Sequence, residues 1–416
     1  MQRRTRVALV APAVPGREER NGFSSRLHDL LIGLIQVADV DLFLPRTSAA
    51  ESPEAIRYWR GFDAVTLHLV LESRQRSPLV RRALRVGHHL FGRLPRWSTP
   101  RRAPELARHL EEGRVDVLCL HLPVMAHLAT LAPAGMPVIA ILEEGLERGL
   151  FAPAERSWLH RGAAKNEARR VRRLYEQTGE RASVVVAISA EERAQFCAAT
   201  IDSDRIVVLP FGIDLAYFEP DSAIAKPEFD IAVFGNFRFE RNLEPALDAV
   251  RWAAMHHPAL RWAFVGDVER RDGDALRAIG VTVSGRVADI RKYYSKTKVV
   301  LVPAVAVTGV KTTLVQAWAM GKPVVSTPES ALGLPAVDGV NVLIGCTTPE
   351  LVERCVHLVA SPELRDELGA VGRQTAVDEL DGRKIATEFA SLVMSLVVDR
   401  GDRAGDQQGS ERRASG

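Results

Sequence analysis

Short, continuous apolar runs recur along the chain, separated by longer stretches in which apolar residues return every three or four positions. In the first half the runs are RVALVA, VDLFLP, AVTLHLVL, VDVLCLH, PVIAIL, SVVVAIS and RIVVLP; in the second they are DIAVFG, RWAFVG, VTVSG, KVVLVP, PVVST and VNVLIG. A strand with one wet face alternates polar and apolar residues. Most of these runs do not, which is the pattern of parallel strands covered by helices on both faces. Strand alternating with helix predicts an α/β fold with right-handed crossovers. The stretch FGIDLAYFEPDSAIAKPEFD, rich in Pro, Asp and Ala and without period, separates the two groups and reads as an interdomain linker. Two doubly wound, Rossmann-like domains are therefore expected, at 1–212 and 213–380. An amphipathic helix over 381–399 follows, expected to cross back to the first domain. The tail 400–416 has no apolar residue larger than Ala and reads as disordered. Asn242 reads as the cap of RNLEPALDAVRWAAMHH, and Ser361, before Pro362, as the opening of another helix.

Composition narrows the function classes. The 416 residues carry a net charge of only +3, so the molecule as a whole is not built to bind a polyanion, and no nucleic-acid partner is expected. The apolar run before Pro12 is short for a signal-peptide core and reads as a first strand. No run approaches the roughly 20 apolar residues of a membrane span, so a cytoplasmic protein is expected. Cys119, Cys197, Cys346 and Cys355 form no C-x-x-C pair or ligand-like cluster and read as idle thiols in a reducing compartment. His88–His89 and His256–His257 lack acidic or Cys partners at ligand spacing, so no metal is expected. One local charge imbalance stands out: between 72 and 104, nine arginines from Arg74 to Arg102 face a single acid, Glu72. Two readings stay open: a solvated arginine-rich face, or an amphipathic surface for anionic lipid at the inner face of the membrane.

The segment KVVLVPAVAVTGVKTTLVQAWAMGKPVVST carries the most chemistry. A strand leads through small residues to Gly309, then into a helix that ends at Gly321. Such a unit aims free backbone N–H groups at the edge of a parallel sheet and makes an anion site. Lys311 in the first turn opposes the helix dipole, a cost that makes sense opposite a phosphate. Thr312 and Thr313 offer hydroxyls, and the Gln316 amide, one turn on, could bond ribose hydroxyls. The bland alternative is a plain crossover with solvated Lys and Thr. In the first domain, VALVAPAVPGREERNGF is a strand and Gly/Pro loop before a helix near Gly22. His121 closes the strand VDVLCLH, where a polar side chain faces the ligand crevice. Glu143 and Glu144 follow PVIAIL and could orient acceptor hydroxyls, act as a base, or sit in a solvated loop.

GVKTTLVQAWAMGKPVVST resembles the nucleotide-sugar segment of retaining, family-4 type glycosyltransferases. VVLPFGIDLAYFEP, DIAVFGNFRFERNLEPALDAV, GRVADIRKYYSKTKVVLVPA and VVVAISAEERAQF resemble further segments of that family. The resemblance is specific over roughly residues 205–380 and looser before them. It implies the GT-B architecture, two Rossmann-like domains facing a cleft, and a sugar moved from a nucleotide-sugar donor to an acceptor hydroxyl with retention. It implies donor contacts at Gly22, Gly235, Arg241, Val287, Gly309, Val310, Lys311, Thr312, Thr313 and Gln316. His121 would lie near the transferred sugar, and Arg26 matches a common arginine. No cofactor or metal is implied, because Lys311 and Arg241 can face the diphosphate and the leaving phosphate can take the proton. The acceptor class, whether natural product, lipid-linked glycan or polysaccharide, stays open. The chain departs from the family at Thr313, usually Lys, and at Gln316, usually Glu. Those departures keep two alternatives in view: a pseudo-glycosyltransferase or GT-B epimerase, and a catalytically silent GT-B partner or membrane-binding subunit.

Overall fold

The structure is a computed structural model. It describes residues 3–16, 22–46, 53–73, 100–143, 169, 172–199, 201–220, 227–238, 240–305 and 309–414; within these, the side chains of 22, 23, 72, 73, 100, 101, 102, 124, 240, 241 and 399–414 are not described. The chain folds into two compact units, Met1–Pro210 with Arg383–Gly416, and Phe211–Gly382.

The first unit is built on an eight-stranded sheet. Its strands are β1 (Thr5–Val10), β2 (Ala38–Pro45), β3 (Val65–Ser73), β4 (Pro100–Arg102), β5 (Val117–His121), β6 (Val138–Ile141), β7 (Val184–Ala187) and β8 (Ile206–Val208), in the order β4-β3-β2-β1-β5-β6-β7-β8. Every pairing is parallel except β3 with β4. The pleat sends alternate residues of each apolar run to opposite faces. Val7 and Leu9 of β1 enter one core layer with Val117 and Cys119 of β5, and Ala8 and Val10 enter the other with Leu118 and Leu120. Both faces are dry, which is why the runs do not alternate.

The helix Gly382–Ala414 supplies Ile385, Phe389 and Val393 to the first layer, one residue per turn along one face. It leaves no room at Gly33 of the Gly22–Leu34 helix, where a Cβ would meet the Ala386 backbone. The helix runs on to Ala414, where the sequence predicts a disordered tail from residue 400. Extending an existing helix avoids the nucleation cost that an isolated polar segment would face.

The second unit holds six parallel strands: β9 (Phe229–Phe234), β10 (Trp262–Val265), β11 (Thr282–Gly285), β12 (Thr297–Val302), β13 (Val324–Ser326) and β14 (Leu343–Ile344), in the order β11-β10-β9-β12-β13-β14. Ile231 and Val233 of β9 pack on one face with Val299 and Leu301 of β12, and Ala232 and Phe234 pack on the other with Val300 and Val302. The expected linker is folded into this unit at its start: Ile213 and Phe218 are core residues. Asn242 does not cap its helix, which spans Glu240–His256 and has already begun two residues earlier. Ser361 does sit before the Pro362–Glu379 helix, but its side chain makes no capping bond.

A carboxylate sits within the first core. The Asp41 side chain is fully buried. Its Oδ2 accepts from Arg6 Nε at 2.5 Å and lies 3.1 Å from His109 Nε2; its Oδ1 accepts from Arg6 at 2.9 Å and lies 2.9 Å from His68 Nε2. Burial alone would push this carboxyl up, but hydrogen bonds from His68, Arg6 and His109 outweigh it and hold the group well below the usual carboxylate range.

Two outcomes follow. Phe389→Ala should lower stability by about 3–5 kcal/mol, read as a fall in the urea midpoint, because the helix is anchored through that ring. Asp41→Asn should destabilise at pH 7. The folded carboxyl titrates below the unfolded one, so its contribution is full above the unfolded pKa and fades as pH falls through the folded one. The deficit of the variant should therefore stay constant to about pH 5 and narrow below about pH 4. A deficit that widens on acidification would contradict this.

Candidate active site

In an open parallel sheet, ligands bind beyond the carboxyl ends of the strands, where consecutive connections turn to opposite sides. In the second unit that point lies between β9 and β12. Gly235 follows β9 with φ 154°, and a side chain there would project into open space. Gly266, which follows β10, packs backbone to backbone against it: a Cβ on Gly266 would overlap the Gly235 carbonyl oxygen. Gly266 N donates to Gly285 O at 3.0 Å and Gly235 N to Val265 O at 3.1 Å. Three neighbouring strand ends thus close in glycine, leaving a low, backbone-lined rim.

Beyond β12, Gly309 and Val310 lead to the Thr312–Ala319 helix. This start is later than the sequence predicts: Lys311 is the N-cap residue, with extended backbone, and Gly321 turns the chain out at φ 63°. The N–H groups of the first turn, at Thr312 and Thr313, have no acceptor within the helix. Lys311 Nζ donates to Asn242 Oδ1 at 3.0 Å, and Asn242 Nδ2 to Asn236 O at 2.9 Å. A neutral amide therefore carries the ammonium across the switch point, from the loop after β9 to the helix after β12. Such a partner positions the ammonium without itself carrying a charge.

Gln316 is buried, and its Oε1 accepts from the Tyr294 hydroxyl at 3.0 Å; the Thr313 carbonyl lies 3.2 Å from the same hydroxyl. The Tyr294 ring stacks on Phe234 at 3.9 Å. Tyr294 is a core residue and also orients the Gln316 amide. Val287 is part-buried against the same cluster. Arg238 is paired with Asp267 at 2.9 Å. The Arg241 backbone lies in the Glu240–His256 helix, while its side chain lies outside the described residues. Sequence reasoning missed Thr327 and Ser330, whose hydroxyls donate to the Ala304 carbonyl at 2.7 and 2.9 Å and hold the segment after β12. The pattern Thr-Pro-Glu-Ser, a helix cap, was the available signal.

In the first unit the switch point lies between β1 and β5. Gly22 opens the helix after β1, and Arg26 stands one turn in. His121 is the last residue of β5, and Glu143 lies just beyond β6. Glu144 lies outside the described residues, as does most of the arginine-rich stretch. Arg26, His121 and Glu143 are buried to within 2% of full enclosure. Arg26 Nε lies 2.6 Å from Glu143 Oε1, and His121 Nε2 lies 3.5 Å from Glu143 Oε2. Both are ion-pair approaches without hydrogen-bond alignment. Among the described residues, the buried side-chain polar atoms lacking a hydrogen-bond partner are Arg26 Nε, His121 Nδ1, His121 Nε2 and Glu143 Oε1. All four belong to this one group. Burial by itself would raise the Glu143 carboxyl, but the neighbouring Arg26 and His121 more than offset it and hold it below its usual value.

One further cluster has metal-ligand chemistry, Asp41 with His68 and His109. The Arg6 guanidinium already spans both oxygens of Asp41, so an added cation would meet a positive charge there. His257 has an acidic partner remote in sequence, Glu353 at 2.9 Å, in an exposed pair. The four cysteines are free; Cys119 and Cys355 are buried, and burial pushes both thiols up.

Two family models match the chain: Glycosyltransferase Family 4 over residues 20–217 and Glycosyl transferases group 1 over residues 228–361. No curated protein matches it by sequence. Among solved structures, HepE of Anabaena in complex with UDP is 17% identical with a TM-score of 0.65, over 94% of this chain and 100% of that one. Sucrose-phosphate synthase of Thermosynechococcus elongatus is 15% identical with a TM-score of 0.69, over 95% and 100%. AviGT4, a glycosyltransferase involved in avilamycin A biosynthesis, is 16% identical with a TM-score of 0.56, over 95% and 98%. With both sheets and both switch points in place, and a family match on each unit, the chain belongs to the group 1 glycosyltransferases of GT-B fold.

Proposed function

We propose that this glycosyltransferase moves a sugar from a nucleotide-sugar donor to an acceptor hydroxyl with retention of configuration. The observation that carries the reading is the helix start at Lys311. There an ammonium held by a neutral amide, the N–H groups of a first helical turn and the open space at Gly235 meet at one switch point. That combination suits a diphosphate, whose charge grows as the glycosidic bond breaks. Fixed positive groups then stabilise the transition state more than the ground state. The similar structure of HepE was solved with UDP and with UDP-glucose, so a uridine donor is the first to test.

In this reading Gly309, Val310, Thr312 and Thr313 hold the diphosphate with Lys311 and Arg241. Gln316, oriented by Tyr294, meets the ribose, and Val287 borders the nucleobase. Gly22 lets backbone lie close to the donor. No metal is required, since the cations are supplied by side chains. His121 bonds the transferred sugar. Glu143 is held ionised below its ordinary range, which makes it a weak base and a better orienting group. Proton transfer then falls to the leaving phosphate, with Glu144 on the acceptor side. The acceptor is a hydroxyl of a natural product, a lipid-linked glycan or a polysaccharide. No helix among the described residues is long and apolar enough to cross a membrane. Peripheral contact with anionic lipid through 72–104 is part of the proposal, as is a cytoplasmic location.

Thermal shifts with UDP, GDP, ADP and dTDP identify the nucleotide. The right one, at 100 times its dissociation constant, should stabilise by about 2.7 kcal/mol. No shift with any of the four would sink the donor-site reading. Lys311→Ala should weaken that nucleotide's binding about tenfold or more, by calorimetry; unchanged affinity would remove Lys311 from the site. NMR of the product should show the donor's anomeric configuration, and the opposite anomer would refute retention.

A further inference from the structure

Three ionisable side chains enclosed together are costly, and such a group adds little stability over apolar residues of the same volume. The Arg26–Glu143–His121 group is enclosed and still leaves four polar atoms without hydrogen bonds. A group kept for stability alone would be saturated, as Asp41 is.

The order in which the members are held is legible. Arg26 is fixed by backbone: its two terminal nitrogens donate to the carbonyls of Leu209 and Pro210 at 2.8 and 2.9 Å. These are the last two residues before the chain leaves the first unit. With those two nitrogens engaged, only Nε remains, and it faces Glu143 Oε1. Glu143 in turn points its second oxygen at His121 Nε2. Of the two neutral tautomers, a carboxylate on the Nε2 side favours the one with the proton on Nε2 and the lone pair on Nδ1. His121 closes β5 at the switch point, and its enclosed, unpartnered Nδ1 is the ring atom left over for an acceptor role.

We propose that Arg26 is a positioning residue for sugar transfer, acting through Glu143 to fix the tautomer and direction of the His121 ring. The inference rests on the reading of His121 as the side chain that bonds the transferred sugar. Lysine cannot replace arginine here, because one ammonium cannot hold two carbonyls and a carboxylate in fixed directions. Arg26 and His121 are the charged or titratable groups that face Glu143 among the described residues.

The test compares wild type with Arg26→Lys, Arg26→Met and the double variant Arg26→Met/Glu143→Gln, which leaves no unpaired buried charge. Folding is checked by circular dichroism. Ring 15N shifts of His121, assigned by their loss in His121→Gln, read the tautomer without substrate. UDP release from UDP-glucose reads turnover. In wild type the Nε2–H tautomer should dominate, and it should be lost in every folded Arg26 variant. Turnover in Arg26→Lys should fall on the order of 100-fold, with the donor KM nearly unchanged. The pH–rate profile of Arg26→Met should gain an acidic limb at higher pH than wild type, as Glu143 loses its cation, and the double variant should lose that limb. Wild-type ring shifts in a folded Arg26→Met protein would overturn the proposal. So would wild-type turnover in Arg26→Lys. If wild type shows the expected tautomer but binds none of UDP, GDP, ADP and dTDP, the donor reading fails while the positioning of His121 stands.

Discussion

A parallel sheet covered on both faces must return every chain through a crossover, so all strand-to-helix turns gather on one edge. That constraint places the candidate chemistry of both units. At this edge, strand carbonyls and helix N–H groups lack their regular partners, and the strand order reverses once in each sheet. Gly235 and Lys311 lie at the reversal in the second unit, and His121 lies at the reversal in the first. Each sheet serves as a scaffold that delivers a few polar groups to one line.

The two sites use charge in opposite ways. Lys311 donates to the neutral Asn242, a contact that leaves the formal charge of the pair at +1. Arg26 is paired with Glu143 in full burial, so its charge is spent on holding a carboxylate. The first arrangement suits binding, and the second suits orientation. The Tyr294–Gln316 bond belongs with the second kind: a hydroxyl within the core fixes an amide that would otherwise rotate.

The strands were legible because burial on both faces writes itself as an unbroken apolar run. The one strand missed, β4, is Pro100–Arg102, a short antiparallel edge whose residues carry no apolar signal. Strand-end residues such as His121 and Glu143 could be found from position alone. Their pairing with Arg26 could not, because it depends on three elements far apart in the chain. The same holds for Arg6, His68 and His109 around Asp41. Local rules misplaced two helix starts for a common reason. Asn242 looks like a cap and Gly309 looks like an opening, yet in the fold Asn242 is committed to Lys311 and the helix begins only at Thr312. Tertiary hydrogen bonds overrode the local preference.

Hydrogen exchange with and without saturating UDP tests the central claim most directly, because it locates the nucleotide on the chain. Amides of the first helical turn at Thr312 and Thr313, and those beside Gly235, should exchange more slowly in the complex, while strands β1 to β8 stay unchanged. Protection confined to other segments, or none under conditions of proven binding, would contradict a donor site at the Lys311 helix start.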